Sequence, residues 1–197
     1  MRDAAVEPIR RNQKTAVVNT LAAAFVNDPA LSWVVPDSSV REQRLRYFFG
    51  SIVGGAMSNG VALTTSAADA ATLWRLPGKI KPGFWENLIG LPGVIRAMGD
   101  ARVRGGIMTQ TLVRHHPHDF AHWYLQFAGV APVQQGKGLG GIVIRAGLER
   151  AALAGLPVYL ETATESNVGL YQRLGFAITN EFDVPDGGPH FWSMVKP

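Results

Sequence analysis

Cysteine is absent from the 197-residue chain, which excludes disulfides, thiolate metal ligands and a cysteine acyl-enzyme. Charge is sparse too: 17% of residues are Asp, Glu, Lys or Arg, and 19 basic against 15 acidic side chains leave a net charge of +4. No run of five like charges occurs, so the excess is not a nucleic-acid footprint, although a few Lys or Arg can still serve a polyanionic cofactor. Long apolar runs are missing as well. The longest uncharged stretch, Tyr47 to Ala68, is diluted by four Gly and by Ser51, Ser58, Asn59, Thr64, Thr65 and Ser66, which excludes a membrane span. Arg2, Asp3, Glu7 and Arg10 interrupt any secretory signal, and a cytoplasmic location is expected. What remains is 47% apolar residues, with 22 Gly and 12 Pro, the composition of a globular domain with a sizeable core.

Hydrophobic spacing predicts a short strand over Ala4 to Ile9 and a helix over Asn12 to Val26, stopped at Asp28-Pro29 because the residue before Pro disfavours helix. Asp37-Ser38-Ser39 reads as a cap opening a helix from Val40 to about Met57; Val61 to Ser66 and Ala70 to Leu76 read as a hairpin. From Lys79 to His118 the pattern is helical but interrupted by Gly90, Pro92, Gly93, Gly105 and Gly106, which predicts short helices separated by kinks. The last third gives a clear βαβ unit: strand Ala121 to Val130, helix Gly138 to Ala154, strand Leu156 to Thr162. A short helix Asn167 to Leu174 stopped by Gly175 follows, then strands Phe176 to Val184 and His190 to Val195.

Between the strand and helix of that unit lies Gln135-Gly136-Lys137-Gly138-Leu139-Gly140-Gly141. Glycines permit close backbone approach, successive amides form a nest, and a helix N-terminus carries about half a positive charge. A phosphate is expected there. Lys137 is followed by Gly138 rather than Ser or Thr, so the magnesium hydroxyl of a Walker loop is missing. Gly136, Gly138 and Gly141 satisfy a dinucleotide-binding pattern, but no second βαβ half follows Glu161.

Gln135-x-x-Gly138-x-Gly140 after a strand ending in Val-x-Pro, followed by Tyr159-Leu160-Glu161-Thr162, Asn167, Tyr171 and Arg173-Leu174-Gly175-Phe176, resembles the GNAT superfamily of N-acetyltransferases. Thr20 to Phe25, Trp74 to Pro77, His122 to Leu125, and Trp192 with Met194 resemble the branch that includes puromycin N-acetyltransferase. The resemblance implies one α/β domain over 1–197. Residues 1–120 would supply acceptor-side segments and 121–197 the acetyl-CoA-binding core, built on a mixed, largely antiparallel sheet of about seven strands, splayed in the middle, with helices on both faces. It implies acetyl transfer from acetyl-CoA to a primary amine of a small molecule by direct attack in a ternary complex. Neither a metal nor nucleic acid nor a membrane is needed, and the protein is expected to be a monomer or homodimer. The alternatives are a protein or peptide N-acetyltransferase and a non-catalytic acyl-CoA sensor.

On the same resemblance, Tyr171 is the acid that protonates the leaving thiolate, or else a core tyrosine. Asn167, one helical turn earlier, borders the CoA arm or caps its helix. The Val130 amide is the oxyanion donor. Gln135, Gly136, Lys137, Gly138, Leu139 and Gly140 hold the pyrophosphate. Glu161, at the end of its strand, is the candidate base or a salt-bridged carboxylate; His122 is the rival base, working through a water. His115, His116, His118 and His122 read as loop histidines rather than metal ligands. Trp123, Phe127, Trp85, Phe84 and Trp192 line an aromatic pocket or belong to the core.

Overall fold

A computed structural model of the chain describes residues 5–78 and 101–197. The segment 79–100, with Phe84, Trp85 and the expected kinks at Gly90, Pro92 and Gly93, lies outside the described residues.

A seven-stranded mixed sheet, in the order β1-β2-β3-β4-β5-β7-β6, organises the molecule. Its strands are β1 (Val6–Pro8), β2 (Val61–Thr65), β3 (Ala70–Arg75), β4 (Trp123–Val130), β5 (Val158–Thr162), β6 (Ala177–Asp183) and β7 (His190–Lys196). All neighbours are antiparallel except β4 and β5, which run parallel and pair only at Trp123 with Val158 and Tyr124 with Tyr159. Beyond that point the two strands part, opening the expected gap in the middle of the sheet.

Helices cover both faces. On one lie α1 (Lys14–Ala24), α2 (Pro29–Val34), α3 (Ser38–Asn59) and α4 (Arg102–His115), whose Val17, Leu21, Val34, Leu45, Phe49, Ile52 and Met108 form one core with Leu73, Tyr124 and Tyr159. On the other, α5 (Leu139–Leu153) and α6 (Glu165–Arg173) pack Ile144, Leu148 and Tyr171 against Trp74, Trp123 and Leu160. Gly147 lets α5 approach that closely: a Cβ there would lie 2.0 Å from the Trp74 ring.

Three expectations change. Asp28-Pro29 ends α1 but also opens α2, because Pro is tolerated at the first helical position and Asp28 Oδ1 accepts a hydrogen bond from Leu31 N at 3.0 Å. The helix through Gly105 and Gly106 is continuous over Arg102–His115 instead of kinked, its glycines tolerated where α2 and the sheet supply the packing. The last short helix begins at Glu165 with Thr164 as its cap, so Asn167 sits inside its first turn and is not the cap.

Register explains which side chains face the first core. Between β3 and β4, Leu73 pairs with Phe127 but Trp74 pairs with Leu125, leaving Gln126 as a bulge. The bulge flips the alternation: Tyr124 and Phe127 share one face, Trp123 and Leu125 the other. Phe127 thereby joins Phe25, Phe48 and Phe49 in edge-to-face contacts, with centroids 5.1–5.7 Å away.

Candidate active site

The glycine loop forms one wall of a cleft of about 620 Å³ lined by Val130, Gln134, Gln135, Gly136, Gly138, Leu139, Gly140 and Gly141, and closed from α6 by Asn167, Leu170, Tyr171 and Arg173. Gly136 and Gly138 have φ of +77° and +81°, a conformation costly for any residue with a Cβ, and at both a Cβ would meet nothing within 4 Å. Gly138 is the N-cap of α5 and offers no side-chain cap, so the first-turn amides, which have no intrahelical acceptor, remain for an anion. This open, left-handed nest fits a pyrophosphate. Gln135 Nε2 donates to Val130 O at 3.2 Å and pins the loop to the strand end. Lys137 is not among the lining residues; its ammonium turns back onto Val133 O at 3.1 Å and Gln134 Oε1 at 2.7 Å. Arg173, to which sequence reasoning gave no separate role, borders the cleft and brings a cation to it.

Val130 ends β4 on the gap side. Ala131 N donates to Asp69 O at 2.8 Å, and since backbone groups alternate along a strand, the Val130 amide points the opposite way, toward the place where β5 has departed.

A second cavity, of about 180 Å³, lies beneath α2, α3 and α4. Phe25, Leu31, Val34, Leu45, Phe48, Met108, Leu112, Phe127 and Phe191 make it apolar, while Asp28, Arg44 and Glu161 are its charged side chains and Gln126, Asn167 and Tyr171 are among its uncharged polar ones. Phe25, Asp28, Ala128, Asn167 and Tyr171 line both cavities. The cleft and the cavity therefore meet at Tyr171.

Tyr171 is buried, and desolvation followed by the negative charge of Asp28 pushes its phenol up to about 12. It stays protonated at neutral pH and able to donate. Its ring also packs on Phe176 with centroids 5.8 Å apart. Asp28 is the site residue that sequence reasoning used only as a helix stop. Burial raises its pKa, opposed by hydrogen bonds from the Leu31 and Ala30 amides and from Thr164 Oγ1. Position next to Pro hides such a residue; only its place between two cavities reveals it.

Past the last β4–β5 pair, on the part of β5 that pairs only with β7, Glu161 is buried, its side chain 2% exposed, facing His116 with 3.5 Å between Oε1 and Nδ1. Burial together with the negative charge of Glu161 holds the Tyr124 and Tyr159 phenols well above their ordinary range, and Tyr159 Oη lies 3.0 Å from Ser193 Oγ. His116 Nε2 lies 3.1 Å from His122 Nε2, and His122 Nδ1 lies 2.9 Å from Phe120 O. Burial lowers the His122 pKa. His122 lines neither cavity; it contacts His116, which in turn faces Glu161. Of the remaining histidines in this stretch, His115 stacks on Phe182 at 4.0 Å and accepts from Asn180 Nδ2 at 3.2 Å. Among the described residues, no group of three or more His, Asp or Glu is arranged to hold a metal ion. Trp123 belongs to the second core and Trp192 packs against it, whereas Phe127 lines the apolar cavity.

Comparisons with known proteins agree with this geometry. The Acetyltransferase (GNAT) family model matches residues 93–176. An uncharacterized N-acetyltransferase of Schizosaccharomyces pombe is 25% identical over 170 residues, covering 80% of this chain and 68% of the yeast protein. A Corynebacterium glutamicum structure described as histone acetyltransferase HPA2 and related acetyltransferase superposes with a TM-score of 0.72 at 27% identity, over 98% of this chain and 94% of that one. Arylalkylamine N-acetyltransferase 2 from Aedes aegypti shares the fold, with a TM-score of 0.67 at 14% identity over 98% and 97% of the two chains. No helix among the described residues is long and apolar enough to cross a membrane.

Proposed function

Starting from an acetyltransferase of the GNAT superfamily, which the family match and the structural neighbours support, we propose that this chain acetylates the primary amine of a small apolar molecule by direct attack in a ternary complex. The observation that carries the reading is the shared lining: Tyr171, Asn167 and Asp28 border both the glycine-loop cleft and the apolar cavity. Two ligands entering from opposite sides would meet where a proton donor stands.

Acetyl-CoA, bound as cosubstrate, supplies the activated acetyl group. Gly136, Gly138 and the first-turn amides of α5 hold its pyrophosphate, with Arg173 adding charge at the rim. Val130 N–H points into the gap and stabilises the tetrahedral oxyanion. Tyr171 gives its proton to the departing thiolate. Glu161, which lines the acceptor cavity, removes the proton that keeps the amine from attacking, while the negative charge of Asp28 helps keep the Tyr171 phenol protonated.

Phe25, Phe48 and Phe127 favour an acceptor with an aromatic or alkyl body, the chemistry named by the arylalkylamine enzyme that shares this fold. The roof of α2, α3 and α4 favours a small acceptor over a peptide. Puromycin, suggested by the branch resemblance, is a larger apolar amine and belongs in the same test.

The test is acetyl-CoA titration of the purified chain, then thiol release with 2-phenylethylamine, spermidine, puromycin and a peptide N-terminus. Saturable binding with amine-dependent release, highest for an apolar amine, is expected. Binding without release for any amine would favour a sensor, and no binding would overturn the reading.

A further inference from the structure

The geometry points to His116 as the second proton acceptor of this site: His122 fixes its tautomer so that its Nδ1 lone pair faces Glu161, and the proton that Glu161 takes from the acceptor ammonium comes to rest on His116. This inference rests on the acetyltransferase reading above. It begins from a count of protons. His122 Nδ1 lies 2.9 Å from a carbonyl oxygen, Phe120 O, which can only accept, so Nδ1 carries a hydrogen. Burial disfavours the imidazolium at His122, so the ring is neutral and its Nε2 presents a lone pair. His116 Nε2, 3.1 Å away, must then donate to it. That leaves His116 Nδ1 and Glu161 Oε1 facing each other at 3.5 Å, both buried and both without a hydrogen-bond partner among the described residues.

A single proton between these two atoms would satisfy both. The site is built to receive the positive charge. His116 is the C-cap of α4, where the carbonyl end of a 14-residue helix favours a cation. Its ring stands nearly perpendicular to Tyr124 and Tyr159, at centroid distances of 5.0 and 4.9 Å. Around it are Glu161 and Tyr159 from β5, Tyr124 from β4, His122 ahead of β4, and His118, whose ring centre lies 5.9 Å away. Arg75 acts on this group through Tyr124.

The transfer balances. An ammonium N–H bond breaks as an O–H bond forms on Glu161; that bond breaks as N–H forms at His116 Nδ1. The product is a carboxylate beside an imidazolium whose hydrogens point at Glu161 Oε1 and His122 Nε2. No redox change occurs, and the proton goes to water when product leaves. His116 and His122 are positioning residues that act through Glu161.

Two measurements test this. Nitrogen-15 NMR of the imidazoles, which needs no turnover, is expected to show hydrogen on Nδ1 and none on Nε2 of His122, with hydrogen on Nε2 of His116. The reverse tautomers would overturn the proposal. In H116Q, whose acetyl-CoA binding is expected to match the parent, kcat is expected to fall about 10- to 100-fold. The acid limb of kcat/KM should move, because the proton then has Glu161 alone to rest on. An unmoved limb in an active H116Q enzyme would overturn the proposal while leaving the acetyltransferase reading intact. Absence of transfer by the parent protein, with the expected tautomers present, would instead remove the acetyltransferase reading and the proton transfer that depends on it.

Discussion

The two cavities that meet at Tyr171 are made of different materials. The cleft is built from backbone: left-handed glycines, the uncapped amides of α5 and the strand-end amide of Val130. The apolar cavity is built from side chains contributed by α2, α3, α4, β4, β5, α6 and β7, with a few polar groups among them. A backbone site tolerates little change at a few positions because the dihedral angles are the site. A side-chain site can be altered residue by residue to admit a different ligand without disturbing the loop that binds the other.

The largest expected effect falls where the two materials join. Tyr171→Phe keeps the ring packed on Phe176 and removes only the hydroxyl; kcat is expected to fall by ~10²- to 10⁴-fold with acetyl-CoA affinity unchanged by calorimetry. Equal losses in binding and kcat would make Tyr171 a packing residue only. On the acceptor side, Phe127→Ala removes an aromatic wall worth about 1.5–3 kcal/mol of apolar burial. The amine KM is therefore expected to rise at least tenfold, while the acetyl-CoA KM stays put. A parallel rise in both would show that the cavities are not separable.

On the backbone side, Gly138→Ala imposes about 1–2 kcal/mol of left-handed strain. Relieving that strain moves the loop away from its nest conformation, so roughly tenfold weaker acetyl-CoA binding is expected, with amine KM unchanged. The smallest effect is expected at a residue that lines neither cavity. The His190 pKa is raised above 6.5 by its hydrogen bond to Asp183 at 2.8 Å and, less, by Glu181 at 3.2 Å. A raised folded pKa stabilises fully below the unfolded value and loses that contribution as pH rises through the folded one. His190→Gln should thus cost a few tenths of a kcal/mol at pH 6, as exposed pairs do, and nothing at pH 9, by denaturant titration. A change in kcat at either pH would tie this edge to the site.

The same difference in materials explains what the sequence disclosed. Gly136 and Gly138 are legible because only glycine adopts their backbone angles without strain, and all the loop residues are adjacent in the chain. Asn167 and Tyr171 stand one helical turn apart, so their common side could be read from spacing alone. The acceptor cavity gathers Phe25, Phe48, Met108, Phe127 and Phe191 from places distant in sequence, and no periodicity relates them. Asp28 was hidden because Asp before Pro is an ordinary helix boundary, and His116 because its meaning depends on facing Glu161 across the fold. The bulge at Gln126 decides which side Phe127 takes, and nothing in the alternation of β4 announces it. Lys137 taught the opposite lesson: a cation inside a phosphate loop can spend its charge on the loop itself.

Convergence of two sites on one proton donor is tested most directly by initial rates of thiol release over a grid of acetyl-CoA and 2-phenylethylamine concentrations. Intersecting double-reciprocal lines, with release strictly dependent on the amine, are expected for direct transfer within a ternary complex. Parallel lines, or an acetylated protein detected by mass spectrometry before amine is added, would contradict it.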